Sequence, residues 1–217
     1  MRLRIGKVRQ ALIVAPHPDD EIIGAAALIR ALKRQGTRVA VVVVSDGAAS
    51  HPASLRWPAR RLVAARRRES LRALRRLAIM ADAVTFLGLP DGALPQQAVR
   101  CRHTLRRAVA MRRRLDLIVG PADSDAHPDH RAVAAALHGV SGKARRLHYQ
   151  VWPPRSAASA RGRTVAMRGG HATKRSLIRL HRTQMGVIRD DPTGFSIARH
   201  ELAAFAHPIE TYVEVPR

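Results

Sequence analysis

A histidine, two aspartates and a glutamate are crowded into one short turn near the start of the chain: His17, Asp19, Asp20 and Glu21. Three adjacent carboxylates repel one another, and a divalent cation would relieve that repulsion. Because His and Asp are natural ligands of zinc, the turn indicates a metal site. The alternative is a capped helix start, in which Asp19 or Asp20 complements the helix dipole.

A second polar turn holds two histidines around an aspartate, His127, Asp129 and His130. Both turns follow a short apolar run, residues 11–14 and 115–119, and both precede a run of helix-forming residues. In an open α/β sheet, turns at the carboxyl ends of parallel strands can converge in one crevice. The two His-Pro-Asp turns are therefore expected to build a single site.

Together the two turns resemble the signatures of the PIG-L/LmbE-like family of zinc-dependent N-acetylglucosaminyl deacetylases. That family has a His-Pro-Asp-Asp-Glu turn and a later His-x-Asp-His turn, and this chain has both in that order, about a hundred residues apart. The resemblance implies His17, Asp20 and His130 as ligands of Zn²⁺, or of another divalent ion such as Fe²⁺. Two His and one carboxylate leave a position open for water, whose pKa zinc lowers toward about 7.

The resemblance also implies catalytic roles. Asp19 matches the family's general base, and His127 matches the histidine that stabilises the oxyanion and protonates the leaving amine. Asp129 would orient an imidazole by accepting a hydrogen bond from the ring nitrogen that does not bind the metal. Asp91 matches a segment whose aspartate contacts a sugar hydroxyl in relatives. The alternatives left open are a helix cap for Asp19, a solvent-facing turn histidine for His127 and a plain Asp-Gly turn for Asp91.

Other polar residues near these segments have no implied role. Just upstream of the second turn the chain reads Asp123-Ser124-Asp125, without the tyrosine that assists the oxyanion in some relatives. Lys174, His181 and Gln184 are predicted on the last long helix, and packing is the favoured interpretation of all three. Their functional roles stay open, as do those of Glu21 and His51.

The elements that must position these residues alternate between strand and helix, which predicts an α/β fold with a Rossmann-like open, mostly parallel sheet and helices on both faces. Right-handed crossovers would place the first strand centrally. Residues 153–170 lack periodicity and are expected to form a loop or a strand pair. The predicted strands are residues 11–14, 37–44, 83–87, 115–119, 146–152, 164–167 and 209–215, and the predicted helices are residues 22–32, 59–78, 96–113, 131–137 and 172–187.

The chain is strongly basic, with 39 Lys and Arg against 16 Asp and Glu and a net charge of +23. The arginines are spread over several predicted helices, among them the clusters 60–61, 66–68, 75–76 and 112–114. This distribution predicts solvated helix faces, and the lack of interleaved aromatic residues argues against a nucleic-acid groove. Nucleic acid is therefore not an expected partner.

The remaining composition bounds the class of protein. One cysteine, Cys101, excludes an internal disulfide, and no apolar run is long enough to span a bilayer or to form a signal peptide. A single domain over residues 1–217 located in the cytoplasm is expected.

Taken together, the residues and the resemblance predict a zinc-dependent hydrolase that removes an N-acetyl group from an amino sugar or sugar conjugate. One alternative is an amidase that cleaves another N-acyl or thiol-sugar conjugate with the same site. An alternative of another class is a non-catalytic polyanion-binding or nucleic-acid-binding protein on the same fold.

Overall fold

One sheet organises the chain in the computed structural model, which describes residues 1–112, 114–139, 142, 144–154 and 162–215. Within these residues the sheet has seven strands in the order β3-β2-β1-β4-β5-β7-β6. Strands β1 to β5 run parallel, and β7 runs antiparallel to its neighbours β5 and β6. The expected open, mostly parallel sheet is confirmed. The strands are β1 (Gln10–Ala15), β2 (Arg38–Ser45), β3 (Val84–Leu89), β4 (Leu117–Pro121), β5 (Arg145–Tyr149), β6 (Arg163–Ala166) and β7 (Ile209–Val215).

Helices cover both faces of the sheet. They are α1 (Asp20–Ile23), α2 (Ala26–Arg34), α3 (Ala59–Arg75), α4 (Ala98–Ala110), α5 (Pro128–His138), α6 (Gly170–Ile178) and α7 (Arg199–Phe205). Successive residues of a strand point to opposite faces, so Leu12 and Val14 pack with α4 and α5, while Ile13 packs with the remaining helices. Burial on both faces explains why the central strands are almost entirely apolar.

The helix predicted over residues 22–32 is broken at Gly24 into α1 and α2. The Tyr212 hydroxyl donates to the Gly24 carbonyl at 2.9 Å, and the Tyr149 ring occupies the space that a β-carbon on Gly24 would need. Helix α2 then starts afresh, because the amides of Ala27 and Leu28 donate to the carboxylate of Glu210. The apolar spacing predicted the helical content but not this break.

The helix predicted over residues 172–187 also ends early, at Ile178, and is followed by a 3₁₀ turn at Arg182–Gln184. The amide and hydroxyl of Thr183 donate to the Glu69 carboxylate on α3. This amide therefore cannot also make the hydrogen bond that would continue the α-helix. Helix α7 was not predicted. The other boundaries differ from the predicted ones by at most three residues, and residues 155–161 of the expected loop lie outside the described part of the chain.

Acidic and basic side chains are distributed very differently between interior and surface. Eight of the 16 Asp and Glu residues are buried. In the part of the chain that the structure describes, Arg66 and Lys174 are the only buried residues among Lys and Arg. The interior therefore holds a far larger share of the acidic side chains than of the Lys and Arg side chains.

Candidate metal centre and active site

The two polar turns meet at the carboxyl ends of the adjacent strands β1 and β4. From β1 the sheet continues through β2 and β3 on one side, and from β4 it continues through β5 on the other. This change of direction leaves a crevice at the strand ends, which is the usual ligand site of open α/β sheets. The expected convergence of the two turns is therefore present in the structure.

Three side-chain atoms in this crevice form a nearly equilateral triangle. His17 Nδ1 lies 3.2 Å from Asp20 Oδ2 and 3.1 Å from His130 Nε2, and the third side, from His130 Nε2 to Asp20 Oδ2, measures 3.1 Å. Zinc–ligand bonds of about 2.0–2.1 Å in a tetrahedral site place neighbouring ligand atoms about 3.3 Å apart. The three residues expected as ligands thus fit a metal ion, and all three are buried.

A carboxylate lies close to the far nitrogen of each histidine in the triangle. His17 Nε2 lies 3.1 Å from Asp129 Oδ2 and 3.0 Å from Asp91 Oδ1, and His130 Nδ1 lies 3.2 Å from Asp125 Oδ2. A proton on each far nitrogen would leave the near nitrogen as a lone pair that faces the triangle. The nearby carboxylates favour this tautomer of each neutral ring, which is the one that a metal ion requires.

Asp125 is a site residue that the sequence analysis did not identify. Besides contacting His130, its carboxylate accepts hydrogen bonds from the amides of His127, Val151 and Trp152 at 2.7 to 3.1 Å. It therefore joins the second turn to the end of β5. Its position two residues before His127 was a possible signal, but two of its partners, Val151 and Trp152, are distant in sequence.

Asp19 lies beside the triangle with its carboxylate free of helix capping. It occupies the N-cap position of α1, but its side chain makes no capping hydrogen bond. The structure therefore does not support the alternative that Asp19 caps the helix. Its φ angle of 149° is strained, and its amide donates to Glu21 Oε2 at 3.0 Å. Burial raises the pKa of Asp19 to about 7, an effect that the nearby Arg66 partly offsets.

Arg66 corrects the prediction that the helix arginines form only solvated faces. It is 3% exposed, and its guanidinium donates to the carbonyls of Gly47 and Pro18, both at 3.0 Å, with Asp19 Oδ2 at 3.3 Å. The helical spacing could have predicted that Arg66 is buried. It lies four residues after Leu62 and seven before Ala73, on the buried face of α3.

His127 is half-buried at the N-cap of α5, with its ring centroid 4.8 Å from those of both His17 and His130. Its Nδ1 accepts the Asp129 amide at 3.2 Å. Burial, together with the two nearby histidines, lowers the pKa of His127. A neutral ring that accepts at Nδ1 carries its proton on Nε2 and can donate it there.

Of the five residues whose roles the sequence left open, three are described by their relation to the crevice or to Glu21, and two by packing contacts elsewhere. Gln184 lines the crevice, and the fully buried Glu21 has a pKa raised to about 8 by burial and by Asp19. His181 Nε2 lies 4.0 Å from Glu21 Oε1. By contrast, Lys174 pairs with Glu210 at 2.8 Å near the start of α2, and His51 packs against Gly194. None of the five belongs to the ligand triangle.

The crevice opens into a pocket of about 400 Å³, a size typical of small-molecule sites. Its lining includes polar groups around the triangle, among them Asp19, Asp91 and His127, and apolar side chains, among them Trp152 and Phe205. Among the described residues, no helix is both long and apolar enough to cross a membrane.

Comparisons with known proteins agree with this architecture. A 2'-N-acetylparomamine deacetylase from Streptomyces fradiae is 32% identical over 155 residues, which cover 65% of this chain and 54% of the relative, so the chain spans about half the length of that relative. The solved N,N'-diacetylchitobiose deacetylase from Pyrococcus horikoshii matches with a TM-score of 0.69 and 20% identity, over 97% of this chain and 85% of that one. The conserved protein TT1542 from Thermus thermophilus matches with a TM-score of 0.66 and 21% identity, over 95% and 94% of the two chains.

The two structural matches show a shared fold. The sequence match to a family model is more specific, because it runs from residue 12 to residue 140 and so includes both polar turns. This range is more than half of the chain, and the chain therefore belongs to the PIG-L family, described as GlcNAc-PI de-N-acetylase.

Proposed function

We propose that this protein is a zinc-dependent hydrolase that removes the N-acetyl group from an amino sugar or a sugar conjugate. The observation that carries the proposal is the triangle of His17 Nδ1, Asp20 Oδ2 and His130 Nε2, with Asp19 and His127 beside it. Family membership and the deacetylase names of the relatives support the same reaction. Fe²⁺ is the alternative metal, because imidazole and carboxylate ligands suit both ions.

His17, Asp20 and His130 would hold the metal ion, and Asp129 would orient His17 through its Nε2. Zinc bound there would polarise the acyl carbonyl and make a water molecule a stronger nucleophile. Asp19 is the group that takes a proton from the attacking water. A carboxylate with a pKa near the working pH suits this role, because a substantial fraction of it is ionised and it is basic enough to accept the proton.

His127 acts on the other side of the reacting carbonyl. Its Nε2–H can donate a hydrogen bond to the oxygen that gains charge as water adds. When the C–N bond breaks, His127 gives its Nε2 proton to the leaving nitrogen, and the proton that Asp19 took from water makes up for it, so that acetate and a free amine are the products. Asp91 lines the pocket and can accept a hydrogen bond from a sugar hydroxyl, in addition to its contacts with His17 and the Ala49 amide.

Two other functions make different predictions. An amidase acting on another N-acyl or thiol-sugar conjugate would use the same residues, and only the choice of substrate would separate it from a deacetylase. A non-catalytic polyanion-binding protein would have no use for the ligand triangle and would retain DNA in a salt-dependent manner after metal removal. The single-domain organisation and the cytoplasmic location stay predictions.

The test is free-amine release from a panel of N-acetylated and other N-acylated amino sugars. The protein would be stripped with a chelator, assayed, and assayed again after the addition of Zn²⁺ or, without oxygen, Fe²⁺. The proposal expects no release by stripped protein and restored release with zinc. Equal rates with and without metal, or no release from any N-acyl sugar, would overturn it.

A further inference from the structure

Asp19 has a backbone conformation that an L-residue adopts only when its surroundings impose it. Its φ and ψ angles are 149° and −26°. Strained conformations of this kind persist only where other contacts hold them, and they are concentrated at functional sites. The contact that holds Asp19 is therefore relevant to how its carboxylate is presented to the metal triangle.

Two carboxylates brace this turn from within. The His17 amide donates to Asp20 Oδ2 at 2.9 Å, and the Asp19 amide donates to Glu21 Oε2 at 3.0 Å. Because Pro18 has no amide hydrogen, these are the two amides of the three residues from His17 to Asp19. Asp20 also belongs to the metal triangle, whereas Glu21 does not. The bond that Glu21 makes within the turn is thus a bond to the strained residue.

The carboxyl group of Glu21 is unfavourable in this place unless its oxygen atoms have a role. Glu21 is fully buried, and among the residues that the structure describes no Lys or Arg lies within 4 Å of its carboxylate. His181 Nε2 is 4.0 Å from Glu21 Oε1, which is too far for a hydrogen bond. A side chain that served packing alone would avoid the cost of burying a carboxyl group. The bond to the Asp19 amide is the role that the geometry shows.

This bond replaces the contact that an aspartate usually makes at the start of a helix. A residue at the N-cap normally accepts a hydrogen bond from an amide two or three residues further on, here that of Glu21 or Ile22. Asp19 makes no such bond, and its Oδ2 lies 3.3 Å from a guanidinium nitrogen of Arg66. In a capping box a side chain of the first helical turn also reaches back to the N-cap amide. Glu21 makes this backward bond, while Asp19 does not make the reciprocal one.

We propose that Glu21 is a positioning residue for Asp19. By accepting the Asp19 amide, Glu21 Oε2 keeps the Asp19 backbone at positive φ, with the carboxylate beside the metal triangle and away from the amides of α1. Without this bond the backbone relaxes to negative φ, and the carboxylate turns to cap the helix. The inference rests on the proposed function, in which Asp19 takes a proton from water.

Two substitutions separate the reach of the Glu21 side chain from its charge. Glu21→Gln removes the charge but keeps an oxygen at the same distance along the side chain, whereas Glu21→Asp keeps the charge but is one methylene shorter. We expect Glu21→Gln to keep kcat within about threefold of the wild type and Glu21→Asp to lower it about 100-fold, because a misplacement of about 1 Å has effects of that size. KM and zinc content should stay at the wild-type level in both variants. Equal kcat values, or the reverse order, would overturn the proposal.

A matched control and a double variant distinguish positioning from general destabilisation. Glu210→Asp shortens another buried carboxylate, which accepts the amides of Ala27 and Leu28, and it should keep the wild-type kcat and KM. In an Asp19→Asn background, Glu21→Asp should change kcat by less than about twofold, because the group that it positions can no longer act. Losses that add in the double variant would show that Glu21 acts by a route other than Asp19.

Crystal structures of the two Glu21 variants keep this inference distinct from the proposed reaction. In Glu21→Gln the Asp19 carboxylate should stay beside Arg66. In Glu21→Asp it should leave Arg66 and accept a hydrogen bond from an amide of α1. If no form hydrolyses an N-acyl sugar but Asp19 moves in this way, the proposed function fails and the positioning role stands. An Asp19 carboxylate that stays in place in Glu21→Asp would overturn the positioning role.

Discussion

One guanidinium nitrogen of Arg66 lies 3.3 Å from Asp19 Oδ2 and 3.0 Å from the Pro18 carbonyl oxygen. The same side chain therefore fixes the backbone of the first turn and places a positive charge beside the proposed general base. Arg66 comes from α3, far along the chain, and it is the one link through which that helix reaches Asp19 among the contacts described above.

Replacement of Arg66 by Met should shift the pH dependence of the enzyme. The positive charge lowers the pKa of Asp19, so its loss raises that pKa. Because Asp19 accepts a proton only when ionised, the acid limb of the kcat/KM profile should move to higher pH, by on the order of one pH unit. Arg66→Lys keeps the charge and should stay closer to the wild-type profile. An unchanged limb in Arg66→Met would show that the base is not Asp19.

Substitution of the proposed ligand His130 by Ala should abolish stable zinc binding. Asp125→Asn should weaken zinc affinity by about 10–100-fold, because the Asp125 carboxylate lies 3.2 Å from the far nitrogen of His130. Competition with a chromophoric chelator would measure both affinities. Asp123→Asn is the control, since Asp123 lies on the exposed side of the same turn and pairs with His138. Native affinity in His130→Ala would rule out the triangle as the metal site.

Asp19→Asn should separate metal binding from turnover. The amide cannot take a proton from water, so turnover should fall by about 10²–10⁴-fold while zinc content stays at the wild-type level. Zinc analysis and an amine-release assay on the same preparation would check both quantities. Near-native turnover would place the general base elsewhere.

The carboxylate of Glu210 should matter for stability without taking part in the reaction. It accepts the first amides of α2 and pairs with the buried Lys174 at 2.8 Å, so Glu210→Ala leaves a buried charge unpaired. We expect a loss of about 3–5 kcal/mol in the free energy of unfolding. Glu214→Ala, on the exposed part of the same strand, should cost less than about 1 kcal/mol. Urea unfolding of both variants gives the comparison, and equal losses would contradict the role of Glu210.

His181 should make the fold sensitive to acid. Burial lowers the pKa of His181 to about 3, whereas an unfolded histidine titrates near about 6.5. Between these values the unfolded chain binds the extra proton. The stability contributed by neutral His181 is thus complete above about pH 6.5 and falls by about 1.4 kcal/mol per unit as pH decreases.

The test is the difference in unfolding free energy between the metal-free wild type and His181→Leu, measured from pH 7 to pH 5. That difference should change with pH by the stated slope, in the direction of greater acid sensitivity for the wild type. Parallel pH dependences would mean that His181 is accessible to protons in the folded state.

Local sequence was sufficient to predict the parts of the site that lie within one turn. The apolar runs of β1 and β4 and the polar residues after them predicted both the sheet and the convergence of the two turns. Arg66 was missed because its partners are remote in sequence, and Asp125 because its contacts with the Val151 and Trp152 amides are. Tertiary contacts decide that such charged side chains face inward. The break at Gly24 has the same cause, since Tyr149 and Tyr212 impose it from β5 and β7.

The uneven placement of carboxylates has a consequence for how the molecule behaves in a crowded solution. With half of the acidic side chains inside, the outer shell is more positive than the formal charge of +23 suggests. Two copies that approach each other repel, which favours colloidal stability at low ionic strength. Cell extracts are rich in phosphate polymers that adsorb to such a shell by releasing their counterions. A purified sample should therefore lose its contaminating ultraviolet absorbance at 260 nm only after washing in concentrated salt.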